Sequence, residues 1–423
     1  MLQTAYIREH KELVIARLKK RNIDATQMVE EVLLLDEQRK KTQHDLDALL
    51  SEGNQLAKQV GELFKTGKIA EANELKEKSV RLKEQANTLK EEQHTINDNL
   101  TQLLYQLPNV PNELVPTGNS DADNEEISKT GEKVVLHTKA LPHWDLAKKF
   151  NLIDFELGVK VTGAGFPFYI GKGARLQRAL INFFLDEARD AGYQEIIPPF
   201  VVNEASGYGT GQLPDKEGQM YHAQTDDFYL IPTAEVPLTN MYRDVIVKKE
   251  DFPIKLTGYT PCFRREAGSY GKDVRGLNRL HQFDKVEIVQ IQHPNNSYQA
   301  LDEMVAYVGG ILNKLELPYR VLRLCGGDLG FTAALTYDFE VHSGAQDMWL
   351  EVSSVSNFET FQANRLKCRF KDESGKTQFV HTLNGSALAL PRILASILEN
   401  NQTAEGIKIP KALVPYTGFD MIH

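Results

Sequence analysis

Two stretches near the start of the chain carry apolar residues at alternating steps of three and four. The first runs Val32, Leu35, Leu46, Leu49, Leu56, Val60 and Leu63, interrupted at Arg39, Thr42 and Gly53; the second runs Leu75, Leu82, Ala86, Leu89, Ile96, Leu100 and Leu103. That spacing gathers the apolar side chains on one narrow stripe of a helix, which is buried best against a second helix. Phe64-Lys65-Thr66-Gly67-Lys68 between them holds a glycine and few apolar residues, which predicts a turn. Two long helices joined by a short turn run antiparallel, so residues 1–110 are expected to form a helical coiled-coil hairpin. Heptads by themselves mark packing, as in a dimerising or spacer coil. Arg39, Lys40, Lys41, Lys76, Arg81 and Lys83 add cations able to follow a phosphate backbone, although glutamates are interleaved among them.

The helical pattern stops at Leu107-Pro108-Asn109-Val110-Pro111, and the following NELVPTGNSDADNEE is polar, acidic and punctuated by proline, the composition of a linker. The domain boundary is placed there, leaving 111–423 as linker and second domain. From about Leu136 onward helical and strand patterns alternate irregularly, with several strand pairs close enough to form antiparallel hairpins. The fold class expected is α+β rather than a doubly wound parallel sheet. The stretch from Glu125 to Ala140 suggests no role.

A chain of 423 residues exceeds what one core usually serves. With 41% hydrophobic and 25% charged residues, and no apolar run near the roughly 20 residues that span a bilayer, no membrane association is expected. The opening MLQTAYIREHKELVIARLKKR lacks a secretory apolar core, so a cytoplasmic location is expected. Cys262, Cys325 and Cys368 have no CxxC spacing, which disfavours a zinc ribbon or a disulfide framework. A net charge of −9 excludes a globally basic nucleic-acid binder, so any such contact uses a local face. Gly171-Lys172-Gly173 lacks the upstream glycine spacing and the Ser or Thr of a Walker A loop, and Gly207-Tyr208-Gly209-Thr210-Gly211 fails the dinucleotide pattern, running into Gln212-Leu213-Pro214 without a convincing helix start. ATP, if used, is held by something else.

The segment from Tyr259 to Gln290 holds the most chemistry: TPCFRREAG, a glycine-bearing loop SYGKDVRGLNR, and LHQFDKVEIVQ. Read as strand, loop and strand, it sets Arg264 and Glu266 on one face and Phe283, Lys285 and Glu287 together on the return. A guanidinium clamps phosphate or carboxylate, a carboxylate accepts from an amine, and a ring stacks on a base. An isolated Arg-x-Glu is more often a pair of surface charges.

The extended match is specific. FRREAG with its loop and HQFDKVEIV resembles motif 2 of the class II aminoacyl-tRNA synthetases (about 259–290), in the form found in bacterial-type seryl-tRNA synthetases. RALINFFLDEARDAGYQEIIPPFVV resembles motif 1 (about 177–202), a helix and a strand ending at Pro199 that build the family's homodimer interface. LNGSALALPRILASILENNQ resembles motif 3 (about 383–402), and IPTAEVPLTN resembles the loop that encloses serine in this family. With PHWDL at 142–146, EVSSVSNF at 351–358 and the helical arm, the likeness covers essentially the whole chain. It implies an antiparallel-sheet catalytic domain behind the coiled-coil hairpin.

The resemblance also implies roles. Arg264 and Arg392 are the catalytic residues, Arg264 serving the substrate carboxylate and the ATP α-phosphate and Arg392 the γ-phosphate. Glu266 meets the adenine amine and Phe283 stacks on adenine, with Arg265, Arg279, Glu351, Val352, Ser353 and Ser354 completing the ATP site. Thr233, Ala234, Glu235, Arg264, Glu287, Asn384 and Ser386 surround serine. Glu351 and Ser354 are the Mg²⁺ ligands, hard oxygens suited to an ion bridging phosphates. Three apart on a regular strand they face opposite sides, so either a bulge follows Val352 or one acts from the strand end. Motif 3 departs from the family pattern at Pro391. Proline fits only a first helical turn, so the helix is expected to begin near Leu390, with Arg392 near its positive end. Arg275 and Arg279 are read as substrate contacts, while His143 and Trp144 are read as structural.

The reaction implied has two steps: serine carboxylate attacks the ATP α-phosphorus, then the terminal ribose hydroxyl of tRNA attacks the seryl-adenylate carbonyl. The partners are L-serine, tRNA(Ser) and, where the organism makes it, tRNA(Sec), gripped through its long extra arm by the hairpin. A pocket built around the serine hydroxyl, with Glu287 as the leading partner, rejects alanine by ~10⁴. Two other readings stand beside this one. A paralogue charging a carrier protein is disfavoured by the intact arm, and a dead coiled-coil adaptor by the presence of every motif residue.

Overall fold

The computed structural model describes residues 1–215, 218–266 and 275–423. Residues 267–274, which belong to the motif 2 loop, lie outside the described residues. The chain divides into two compact units, one of Leu2–Lys19 and Ile23–Pro108, the other of Met1, Lys20–Asn22 and Asn109–His423.

The first unit holds helices α1 (Thr4–Glu9) and α2 (Lys11–Leu18) and the long pair α3 (Thr26–Lys65) and α4 (Ile69–Gln106). At about 1.5 Å per residue the long helices run on the order of 60 Å. Val29, Val32, Leu46 and Leu56 bury along α3, and Ala72, Leu82, Ala86, Ile96, Leu100 and Leu104 along α4. The turn reverses at Gly67, whose φ of +78° suits glycine. Three positions differ from the periodic reading. Thr42 is buried in the seam rather than breaking it, Leu104 is buried in place of Leu103, and Asp36 is buried beside a half-buried Leu35. A buried carboxylate must be compensated, and Asp36 is met by Arg8, by Arg39 at 2.8 Å and by Lys40 at 3.2 Å.

The second unit is built on an eight-stranded sheet: β1 (Glu125–Thr130), β2 (Gln194–Glu195), β3 (Ile254–Phe263), β4 (Gln282–Gln292), β5 (Tyr319–Arg323), β6 (Leu335–Ser343), β7 (Met348–Glu359) and β8 (His381–Ala389). Its order is β1-β5-β6-β7-β8-β4-β3-β2. Every pairing is antiparallel except that of β2 with β3. The helices alongside it are α5 (His143–Lys149), α6 (Lys172–Asp190), α7 (Glu204–Thr210), α8 (Glu235–Asn240), α9 (Ser297–Lys314), α10 (Thr360–Leu366) and α11 (Leu390–Asn400). Successive side chains of a strand point to opposite faces. Accordingly Val286 and Ile288 of β4 enter the main core with Leu180 and Phe184 of α6, Met304 and Val308 of α9 and Ile393 and Leu394 of α11. Val289 joins a smaller cluster with Ala234, Leu238 and Leu256. The architecture is α+β, as expected.

Glu125–Thr130, which begins at the end of the acidic linker and suggested no role, is the edge strand β1, and its acids pair with β5: Glu125 with Arg323 at 2.5 Å and Glu126 with Arg320 at 3.4 Å. Charge on an edge discourages pairing with other chains. The motif 1 strand is only two residues long and stops before Pro198 and Pro199, which have no N–H for a ladder. The glycine run 207–211 lies mostly within α7, which Asn203 caps at Ser206 N–H (3.0 Å) and Gly211 ends at φ +91°. Gly171 precedes α6, and Lys172 Nζ donates to the Met421 carbonyl at 3.1 Å, a structural bond rather than a phosphate cradle. The motif 3 helix α11 starts at Leu390 with Pro391 in its first turn, as expected. No described helix is long and apolar enough to cross a membrane.

Candidate active site

Thr233 and Ala234 lead into α8, whose first residue is Glu235; all three are at least 95% buried. Glu235 N–H donates to Thr233 Oγ1 at 3.2 Å, and Glu235 Oε1 accepts from Gln362 Nε2 at 2.6 Å. Gln362, on α10, is held by Thr382 Oγ1 on β8 at 2.7 Å and donates to the Thr210 carbonyl at 3.1 Å. On β4, Glu287 is 1% exposed and pairs through Oε2 with Lys285 Nζ at 2.6 Å. Lys285 and Glu287 therefore share a face, as the strand period requires.

Two buried carboxylates thus stand close to one lysine. Burial and the neighbouring Glu287 push the Glu235 carboxyl up to about 7, against the pull of Gln362, Lys285 and Asn384. Burial also raises Glu287, opposed by Lys285, by a hydrogen bond from Thr233 and by Arg264. Such a site is short of positive charge, and a ligand ammonium would supply it. Asn384 and Ser386 reach the same place from β8, as cross-strand partners of Val289 and Glu287.

The side expected to meet ATP differs from the strand reading. β3 ends at Phe263, so Arg264 and Glu266 are not on one strand face. Arg264 N–H still bonds the His281 carbonyl at 2.9 Å, but Glu266 adopts φ +48°, outside extended geometry, and two-residue alternation does not carry across it. The Arg264 guanidinium lies 5.1 Å from the Phe283 ring centroid, and Arg279 Nε meets Glu266 Oε2 at 3.3 Å. Arg264 with Phe283 and Glu266 with Arg279 thus form two pairs. Arg265 turns instead over Tyr221, at 5.6 Å, and Arg275 lies over Trp144 at 4.7 Å.

Opposite Phe339 and Glu340 of β6, β7 presents Ser353 and then Glu351, so Val352 is one extra residue. This bulge is one of the two arrangements that the Glu351 to Ser354 spacing left open. It re-aims the strand, and Asp338 of β6 records the outcome, hydrogen-bonded to Ser354 and sensing the Glu351 charge. Burial and Glu351 hold the Asp338 carboxyl well above the usual carboxylate range, and its Oδ1 has no hydrogen-bond partner among the described residues. Val352 points into the core and Ser353 Oγ is spent on the Ser386 carbonyl at 2.6 Å, so they can offer a ligand only backbone groups. Arg392 closes this side, with Nη1 on the Glu351 carbonyl at 2.7 Å and 3.4 Å from Glu351 Oε2, and Nε on the Asn278 carbonyl at 3.0 Å.

Among the described residues no three His, Cys, Asp or Glu side chains converge as a ready-made metal site. Mg²⁺ needs only one or two carboxylates when phosphates complete its shell. Glu351, Ser354 and the unpartnered Asp338 oxygen are a hard-oxygen set that fits such an ion. Asp338, Gln362 and Thr382 escaped the sequence reading. Lys285 carried a signal, since a lysine alternating with Phe283 and Glu287 on an inward face requires a partner; Gln362 carried none.

A family model described as the seryl-tRNA synthetase N-terminal domain matches residues 1–111, and one described as the class II tRNA synthetase core domain (G, H, P, S and T) matches residues 219–401. The chain is 51% identical over 424 residues to a serine–tRNA ligase of Salinibacter ruber, spanning 100% of this chain and 99% of the relative. It is 47% identical over 425 residues to that of Akkermansia muciniphila, with the same coverage. The crystal structure of seryl-tRNA synthetase from Pyrococcus horikoshii complexed with ATP superposes with a TM-score of 0.91 at 35% identity, covering 100% of this chain and 99% of that one. A cytoplasmic serine–tRNA ligase from Naegleria fowleri in complex with AMP gives 0.87 at 29%, covering 100% and 98%. The chain belongs to the seryl-tRNA synthetase family of class II aminoacyl-tRNA synthetases.

Proposed function

We propose an assignment of this chain's residues to serine–tRNA ligation, in which L-serine and ATP form seryl-adenylate with release of pyrophosphate and the seryl group passes to the 3′ end of tRNA(Ser) with release of AMP. The observation that carries it is the pair of buried carboxylates, Glu235 and Glu287, on either side of Thr233 and beside Arg264. The serine ammonium binds between those carboxylates and offsets the charge deficit there. The serine hydroxyl meets Glu287, with Asn384 and Ser386 completing the enclosure, and Arg264 takes the carboxylate. Unpaired polar groups penalise alanine, and the small enclosed volume penalises larger side chains.

Phe283 stacks on adenine, Glu266 accepts from its amine, and Arg264 and Arg392 neutralise the charge that develops on the phosphates. No covalent nucleophile is needed; the protein contributes alignment and electrostatic stabilisation. Glu351 and Ser354, with Asp338 behind Ser354, would hold Mg²⁺. The ion supplies charge neutralisation of the phosphates when bound.

We assign residues 1–110 as the tRNA-binding arm and 111–423 as linker and catalytic domain. Arg81 and Lys83 are exposed on α4 and suited to phosphate contacts. An acceptor such as tRNA(Sec), with a long extra arm, meets the same requirement. A homodimer is supported by the exposed apolar residues of motif 1, Ile197 (85% exposed), Phe200 (41%) and Val201 (44%), which a second copy would cover. A cytoplasmic location accords with these substrates and with three buried free cysteines.

ATP–pyrophosphate exchange with each amino acid, followed by charging of tRNA(Ser), tests the assignment. Serine alone should support exchange. Arg81→Glu with Lys83→Glu should leave exchange unchanged and raise the tRNA KM at least tenfold, the penalty growing as salt is lowered. Efficient exchange with another amino acid would reject the pocket assignment, and charging indifferent to the arm charges would reject the arm's role.

A further inference from the structure

Behind Arg392 runs a buried polar chain for which the assignments above leave no task. It begins at His143, the first residue of α5, which is 0% exposed. Its backbone N–H and its Nδ1 both meet Glu399 Oε1, at 2.8 and 2.6 Å. Its Nε2 receives the backbone N–H of Leu277 at 2.8 Å. A peptide N–H only donates, so Nε2 carries the lone pair and the proton sits on Nδ1 against the carboxylate. This geometry selects one neutral tautomer.

Glu399 is held further by Gln346 Nε2 at 2.9 Å and by Ser343 Oγ, and Gln346 Oε1 accepts from Asn278 Nδ2 at 2.9 Å. The Asn278 carbonyl is the group that receives Arg392 Nε. Glu399 and Arg392 lie seven residues apart on α11, about two turns. One helix therefore grips two consecutive residues of one segment, Leu277 through Glu399 and His143, and Asn278 through Arg392. The close fit extends to Gly276, at φ +66°, where a Cβ would come within 2.2 Å of His143 Nε2.

We propose that His143 is a positioning residue for Arg392. By accepting the Leu277 N–H it sets the Asn278 carbonyl, which holds Nε and orders the guanidinium before ATP arrives. Ordering a long side chain in advance removes an entropy cost from binding. The inference rests on the assignment of Arg392 to the triphosphate.

The test uses the full chain and four substitutions, with KM for ATP and for serine measured separately in exchange, and melting temperature alongside. His143→Asn keeps a donor toward Glu399 and loses the acceptor for Leu277; His143→Gln can place an oxygen where Nε2 stands. The Asn variant should raise KM for ATP about tenfold, the size of one lost hydrogen bond, and leave KM for serine within about twofold. The Gln variant should recover most of the loss, which a purely packing histidine would not show. Gly276→Ala, which leaves His143 and Glu399 in place and presses on the Nε2 contact from the loop side, should show the same ATP-selective rise and serves if the histidine variants do not fold. Equal effects on both substrates, no difference between Asn and Gln, or a lower melting temperature with unchanged KM values would overturn the proposal. Arg392→Ala is measured in parallel: an unchanged KM for ATP there would reject the assignment of Arg392 itself, and the proposal with it.

Discussion

Glu235 offers the sharpest quantitative prediction, because its carboxyl stands at about 7 against an ordinary value of 4.5 while it is only 5% exposed. A raised acid is one that the folded state prefers protonated. Its stabilising effect is therefore full below the unfolded value, and stability falls as pH rises from about 4.5 to about 7. At 1.36 kcal/mol per unit the loss is about 3 kcal/mol. In a unit of this size that corresponds to a melting-point change on the order of 6 °C. Glu235→Gln is nearly isosteric, and its amide oxygen can still accept from Gln362. The variant should therefore lose this part of the pH dependence. Glu287, Glu340 and Asp338 are also raised, so the quantity that matters is the difference between wild type and variant. Melting temperatures of both, without ligand, at pH 5 and pH 8 give it directly. The variant should be more stable than wild type at pH 8 by about 3 kcal/mol and close to it at pH 5, while losing serine-dependent exchange. Saturating serine should stabilise wild type more at pH 8 than at pH 5, since its ammonium favours the ionised carboxylate. Parallel pH profiles for the two proteins would refute the argument that burial next to Glu287 controls this group.

Three further substitutions probe other buried charges. Lys285→Met strands Glu287 without its partner, which should cost about 3–5 kcal/mol at neutral pH; adding Glu287→Gln should restore most of that in thermal unfolding, and failure of the second change to rescue would show that the 2.6 Å pair is not the source of the loss. Asp338→Asn removes a buried carboxylate whose charged form is disfavoured, so the ligand-free melting temperature should rise while the Mg²⁺ needed for half-maximal exchange increases several-fold; unchanged Mg²⁺ dependence would take Asp338 out of the ion's surroundings.

The helical hairpin was legible from sequence because its seam repeats along one chain segment, and periodicity is local information. The same holds for Lys285 beside Glu287, two apart on a strand, and for the start of α11 at Leu390, dictated by Pro391. The bulge at Val352 was legible as one of two options, since Glu351 and Ser354 could not otherwise cooperate. Sequence reading failed wherever backbone left its regular path or a partner came from far away. Glu266 at φ +48° broke the alternation assumed through FRREAG, and the strand at 125–130 suggested no role because the arginines that pair Glu125 and Glu126 lie almost 200 residues on. Asp36 is buried among three cations, of which Arg39 and Lys40 are local in sequence but Arg8 comes from 28 residues away. His143 looked inert because Glu399, which orients it, is 256 residues distant. Local spacing determines which face a side chain takes; only the sheet order and the packing of α5 and α11 determine what that face meets, and a buried charge or tautomer is set by what it meets.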